Sequence, residues 1–202
     1  MKKIILFILC IGIGLSAGSW VVWNQQQPPE EESFKDGHVI ARHVGTSVSN
    51  TAAIEELVKQ LPFSEVLTGV TVDGTAVKLT YKPTEKEQAD WTGSSRKMIE
   101  SGKASFLESR LSKLIMHHTL ALFLSVSDLS ELQIHYRDSF SDVTFDMDRL
   151  RIEDYTPRDI ERASSSANRF NRVVVEDYVL VDSRRAVFFE KFQESLRILP
   201  EK

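Results

Sequence analysis

Cysteine is almost missing from this chain: of 202 residues only Cys10 carries a thiol. A lone thiol closes no intramolecular disulfide, so the folded part must be held by its core. Basic charge is not in excess either, since 25 Lys and Arg stand against 29 Asp and Glu for a formal net charge of -4. No basic field is available to hold a phosphate backbone, and no nucleic-acid motif is present, so nucleic acid is a poor partner on electrostatic grounds and none is expected. Also absent are G-x-S-x-G, a glycine-rich phosphate loop, a Cys-His pair and H-E-x-x-H. These absences remove every specific reason to name a reaction. No catalytic, cofactor-binding or metal-ligating residue is assigned from the sequence, and no cofactor is expected.

What is present begins at the N-terminus. After Met1-Lys2-Lys3 the chain runs from Ile4 to Trp23 without a charge, twenty residues in all, enough at about 1.5 Å per residue to cross a hydrocarbon core of about 30 Å. Lysines before the span and Glu30 to Glu32 after it obey the positive-inside rule. Residues 1–23 are therefore expected to anchor the chain in the lipid bilayer through 4–23, single-pass, with the N-terminus cytoplasmic and the rest extracytoplasmic. A cleaved signal peptide is the competing reading, because Ser16, Ala17, Gly18 and Ser19 supply small residues. Phe7, Ile8 and Leu9 lack the small residue expected before a lipidated cysteine. An exported domain without disulfides fits a Gram-positive cell surface.

Residues 24–36, "NQQQPPEEESFKD", show no hydrophobic period and read as a polar tether, which leaves 37–202 as one extracytoplasmic domain. Within it, 38–44 reads as extended. Ser49 or Asn50 caps a helix carrying Ala53, Ile54, Leu57 and Leu61 and stopping at Pro62. In 66–81 the Asp73-Gly74 pair predicts a type I′ hairpin that sets Val70 opposite Val77 and Thr68 opposite Leu79. In 131–148 a loop at Asp138 to Ser141 predicts a second hairpin, with Arg137 opposite Asp142, Tyr136 opposite Val143, Ile134 opposite Phe145 and Leu132 opposite Met147. A long helix is expected from Ala104 to about Ser125, a helix start at Thr156-Pro157, and a last amphipathic helix over 182–199. The fold class is α+β: an antiparallel sheet of two β-hairpins packed against a long helix, with C-terminal helices and an N-terminal transmembrane helix.

The residues worth weighing for chemistry are few. His117 and His118 interrupt the apolar run "IMHHTLALFLSV", which at about ten residues is too short for a second span. Adjacent helical residues point about 100° apart, and two ligands gripping one ion from a helix need a spacing of three or four. The pair therefore reads as a hydrogen-bonded core histidine, His118, beside a surface one, His117. His38, His43 and His135 could meet in space. Asp142, Asp146 and Asp148 share one strand face, read as a solvated surface neutralised in part by Arg137 and Arg149, because the calcium-loop pattern is missing. Ser94 and Lys97 match S-x-x-K by letters alone.

The stretches "HVGTSVSNTAAIEELVKQLPF" (43–63), "AVKLTY" (76–81) and "HTLALFLSVSDLSELQIHY" (118–136) resemble the exported bacterial domains catalogued as domain of unknown function 4825. The resemblance is carried by Val44-Gly45, Leu61-Pro62, a strand closing in Leu-Thr-Tyr, and Asp128 before a strand, and it covers about residues 40–148. It implies a membrane-tethered domain of Gram-positive type, with relatives near surface-sensing and regulatory membrane proteins and no catalytic residue to carry over. The sequence reading is accordingly a non-enzymatic, single-pass membrane-anchored regulatory module with an envelope or membrane protein partner. The alternative is an envelope hydrolase or metal-dependent enzyme using His38, His43, His135 and Asp142 to Asp148.

Overall fold

The computed structural model describes residues 34–84, 106–107 and 109–200. The expected anchor, the Ser94/Lys97 match and the expected helix start at Ala104 lie outside the described residues. The folded unit begins at Phe34, three residues ahead of the expected boundary, because Phe34 and Asp36 are buried.

In chain order the first element is α1, Gly37–His43, where an extended segment was expected. Val39, Ile40 and His43 are its buried apolar and ring side chains, a one-three spacing that only a helix places on one face. Helix α2 is Thr51–Gln60, capped by Asn50 Oδ1 accepting from Ala53 N at 3.2 Å and ending before Pro62 as the sequence predicts. Strands β1 (Leu67–Asp73) and β2 (Ala76–Tyr81) form the first hairpin. Its register pairs Val70 with Leu79 and Asp73 with Ala76, two residues along from the expected pairing. Gly74 has φ +58° while Thr75 does not turn positive, the signature of a type II′ turn centred on Gly74-Thr75, so Asp73 escapes the left-handed region. A shift of two leaves the faces unchanged.

Helix α3, Arg110–Ser125, follows, then β3 (Glu131–Arg137) and β4 (Ser141–Asp148). The second hairpin has the expected register throughout, from Arg137 opposite Asp142 to Leu132 opposite Met147. Its loop is set by Asp138, whose Oδ1 accepts from the Phe140 and Ser141 amides at 2.8 Å. Short helices α4 (Arg149–Tyr155), α5 (Arg158–Glu161) and α6 (Ala167–Phe170) come next, and α6 runs on as a π-helical stretch, Asn171–Val179. The last helix, α7, is Asp182–Lys191, shorter than expected. The chain then turns to strand β5, Leu196–Pro200, because β4 offers it an edge and Leu196 and Ile198 alternate inward onto Phe145 and Val143.

The sheet has five strands in the order β1-β2-β3-β4-β5. It is mixed, not wholly antiparallel, because the hairpins join through a parallel β2–β3 pair. Parallel neighbours need a crossover, and α3 supplies it by carrying the chain back across the sheet. Thirteen of the sixteen α3 residues are buried. The apolar face of the sheet lies on one side of it, where the Tyr81 and His118 rings meet at 5.6 Å. Helical segments lie on the other, where the His117 and Phe170 rings meet at 5.9 Å. Helix α3 is therefore a middle layer, apolar nearly all round. No helix among the described residues is long and apolar enough to cross a membrane.

Two contacts lock the outer layer. Gly37 packs so closely on α6 that a Cβ there would collide with the Ala167 carbonyl oxygen, and its amide donates to Asn171 Oδ1 at 2.8 Å. Arg185, fully buried, donates to the carbonyls of Leu107 and Val179 and to Asp182. Replacing Arg185 by Leu takes the guanidinium from the Val179 carbonyl and from Asp182, while the Leu107 carbonyl keeps the Ser112 hydroxyl at 2.9 Å; it is expected to cost about 2 kcal/mol, read as a lower urea midpoint at unchanged slope.

Candidate functional site

Strand alternation puts one set of side chains into the core and the other on an open sheet face. Across the strands the open face carries Thr71, Lys78, Gln133 and Asp146 in one row and Thr80, His135, Thr144 and Arg197 in the next. A hollow of about 510 Å³ opens on it, bordered by Thr71, Lys78, Glu131, Gln133, Asp146 and Arg151. The three aspartates named from the sequence are each engaged. Asp142 Oδ1 lies 2.9 Å from His135 Nε2, Asp146 accepts from Gln133 at 2.7 Å and faces Arg197 at 3.5 Å, and Asp148 caps α4 by accepting from the Arg151 amide at 2.9 Å. Arg149, expected to neutralise them, turns away and donates to the Leu129 and Val126 carbonyls at 2.7 and 2.6 Å. Lys78, Glu131 and Asp73 are left as solvated charges around the hollow.

The other concentration of chemistry is dry. His118 Nδ1 donates to the Leu114 carbonyl at 2.9 Å, one turn back on α3, so Nε2 holds the lone pair. His117 is not on the surface as expected. It is fully buried, because the face 100° round from His118 looks into the outer layer, not into water. Its Nε2 lies 3.2 Å from Asp36 Oδ1, and its ring sits against Phe34 at 5.4 Å. Among the described residues four buried polar atoms here meet no partner: Asp36 Oδ2, His117 Nδ1, His118 Nε2 and the Tyr81 hydroxyl. Burial, with His117 alongside, holds His118 down to about 3 against an ordinary 6.5, the bond to Leu114 opposing. Burial likewise pushes the Tyr81 hydroxyl well above its ordinary value. Both groups are neutral at physiological pH.

The histidines suggested as a set are dispersed. His38 is exposed and His43 buried, both on α1, while His135 is on the open sheet face. Among the described residues no three His, Cys, Asp or Glu side chains converge in a way that could hold a metal ion. The adjacent-histidine signal did mark the buried cluster. Its partner Asp36 was missed because a polar neighbourhood assigned it to the tether.

Between pH 6.5 and about 3 the unfolded chain protonates His118 while the folded chain does not, so acid favours unfolding by about 1.4 kcal/mol per pH unit from this group. His118→Phe keeps the ring and removes the titration. The variant is expected to lose less stability than the parent between about pH 7 and about pH 5, measured by urea unfolding at each pH, whereas equal losses would show that another group sets the slope. Compared with known proteins, the chain matches no family model, no curated protein and no solved structure.

Proposed function

We propose that the chain is a non-enzymatic binding or regulatory module, tethered to the membrane by residues 4–23, that presents the open face of its sheet to another envelope component. The observation that carries this reading is the sheet's asymmetry. Its inner side is closed by α3 and α7, while its outer side is polar, half-exposed and hollowed around Lys78 and Gln133. Rigid strands hold those side chains in fixed rows, which suits recognition of a folded surface or an extended segment better than bond-making, for which a positioned nucleophile is needed. Export, a single-pass anchor and the resemblance over residues 40–148 point the same way.

A second reading, an envelope hydrolase, is favoured by one observation: the His135–Asp142 pair has the form of a base held by a carboxylate and is accessible on the open face. His135→Ala with Asp146→Ala tests it, since full biological activity in that variant removes the enzyme reading.

For the leading reading, the full-length tagged protein is crosslinked in cells and compared with a Thr71→Arg, Lys78→Glu variant. Both sites are exposed, so the fold is expected to survive. A partner recovered with the parent in near-equal amount is expected to fall about tenfold or more with the variant, a loss of about 1.4 kcal/mol. Equal recovery would move the interface off the sheet, and bait alone in both cases would defeat the binding reading.

A further inference from the structure

The buried histidine cluster has no part in the binding reading, and its position says what it can do. It closes over the point where the chain enters the folded unit. Phe34 is fully buried, its ring 5.2 Å from Phe63 and 5.4 Å from His117. Asp36 stands at the N-cap of α1, yet its carboxylate caps nothing there and reaches into the core for His117 instead. The groups around His117 come from every neighbouring layer. The entry segment brings Asp36 and the ring of Phe34, which the turn after α2 backs with Phe63; α3 itself brings His118, β2 brings Tyr81 behind His118, and helix α6 brings the ring of Phe170. The other buried titratable side chain on α1 is His43. Asn171, on the π-helical stretch, accepts from the Gly37 amide.

This buried arrangement holds a single carboxylate, that of Asp36, to balance any positive charge on the two imidazoles. A second proton on the two histidines creates an imidazolium beside another 5.6 Å away, with the one carboxylate already used. Hydration relieves the excess charge, and the entry segment is the part of the enclosure at the boundary of the folded unit. We propose that residues 34–36, with α1, form an acid-released latch, in which proton uptake by the Asp36–His117–His118 cluster expels the segment while the sheet stays folded. In the closed state the two imidazoles face Asp36 and the Leu114 carbonyl. In the open state both are hydrated, and positive charge on them no longer carries the cost of burial.

The test is hydrogen exchange with mass-spectrometric readout on the full-length protein in detergent at about pH 7.5 and about pH 5, with exchange times scaled for the intrinsic pH dependence. Peptides covering α1 are expected to lose protection by about tenfold or more at the lower pH while peptides covering β3 and β4 keep theirs. A His117→Gln, His118→Phe variant is expected to keep α1 protected at both values. Phe34→Ala, which loosens the segment without touching the titrating groups, is expected to expose α1 at both. Equal α1 protection in the parent at both pH values, loss of protection in α1 and sheet together, or acid opening undiminished in the double variant would each overturn the latch.

Discussion

The fold depends on a single demand made by α3: a helix buried on nearly all sides must satisfy its polar side chains without water. Most of them do so by bonding back to their own helix. Ser112 donates to the Ser109 carbonyl, Thr119 to Ile115, Ser125 to Ala121, and His118 to Leu114. Such bonds are available to short side chains and to an imidazole turned along the axis. His117 is the exception. Its ring projects away from the sheet, and the partner it finds comes from outside the helix, on the segment that leads into α1. The placement of Phe34, Asp36 and α1 follows from that, as does the close packing of Gly37 on α6 that holds α1 in position. Sequence, helix burial and the path of the N-terminal segment are thus one chain of cause.

The crossover has a second consequence. Because α3 joins β2 to β3 in parallel, both hairpins present their apolar sides to the same helix and their polar sides outward together. An ion pair such as Arg197 with Asp146, at 3.5 Å and partly in water, adds little to stability. The outer rows are therefore free to vary in chemistry without loss of the core. A face with that freedom, carried on rigid strands, is where a recognition surface can be placed at low cost to folding.

Legibility in the sequence followed the range of the forces involved. The second hairpin was readable residue by residue, since strict alternation and an Asp-initiated loop are local signals that agree with each other. The first was readable in its faces but not its register. Asp73-Gly74 and Gly74-Thr75 both make two-residue turns, and the II′ form, with a bulge between Leu67 and Gly69, was chosen by the surrounding sheet. Strand β5 was hidden because Leu196 and Leu199 also satisfy a helical spacing, and the free edge of β4 that decides the matter is a tertiary fact. Helix α1 was hidden for a related reason, its seven residues being too few for periodicity to speak. The open-face candidates were correctly placed on a strand. His117 was misplaced because a one-sided stripe assumes two layers, and the structure has three.

The dry cluster and the wet face differ most in what they cost. On the open sheet His135 and Asp142 complete their bonding with solvent, so their presence implies nothing about selection. Each buried polar atom without a partner costs about 1–3 kcal/mol, and among the described residues two such atoms, Asp36 Oδ2 and His117 Nδ1, lie where the entry segment meets α3, while His118 Nε2 and the Tyr81 hydroxyl lie on the sheet side. The first two sum to about 2–6 kcal/mol, a large share of the net stability of a domain, about 5–15 kcal/mol. Against it the segment sets chiefly the burial of Phe34, about 2–3 kcal/mol. The closed segment is therefore close to balance even at neutral pH, whereas the sheet, with its full ladder of backbone bonds and a continuous apolar face, is not. A perturbation spread evenly through the molecule, such as a falling pH, acts first where the margin is smallest. The margin is thus smallest at residues 34–36 and α1, which is where opening is expected to begin.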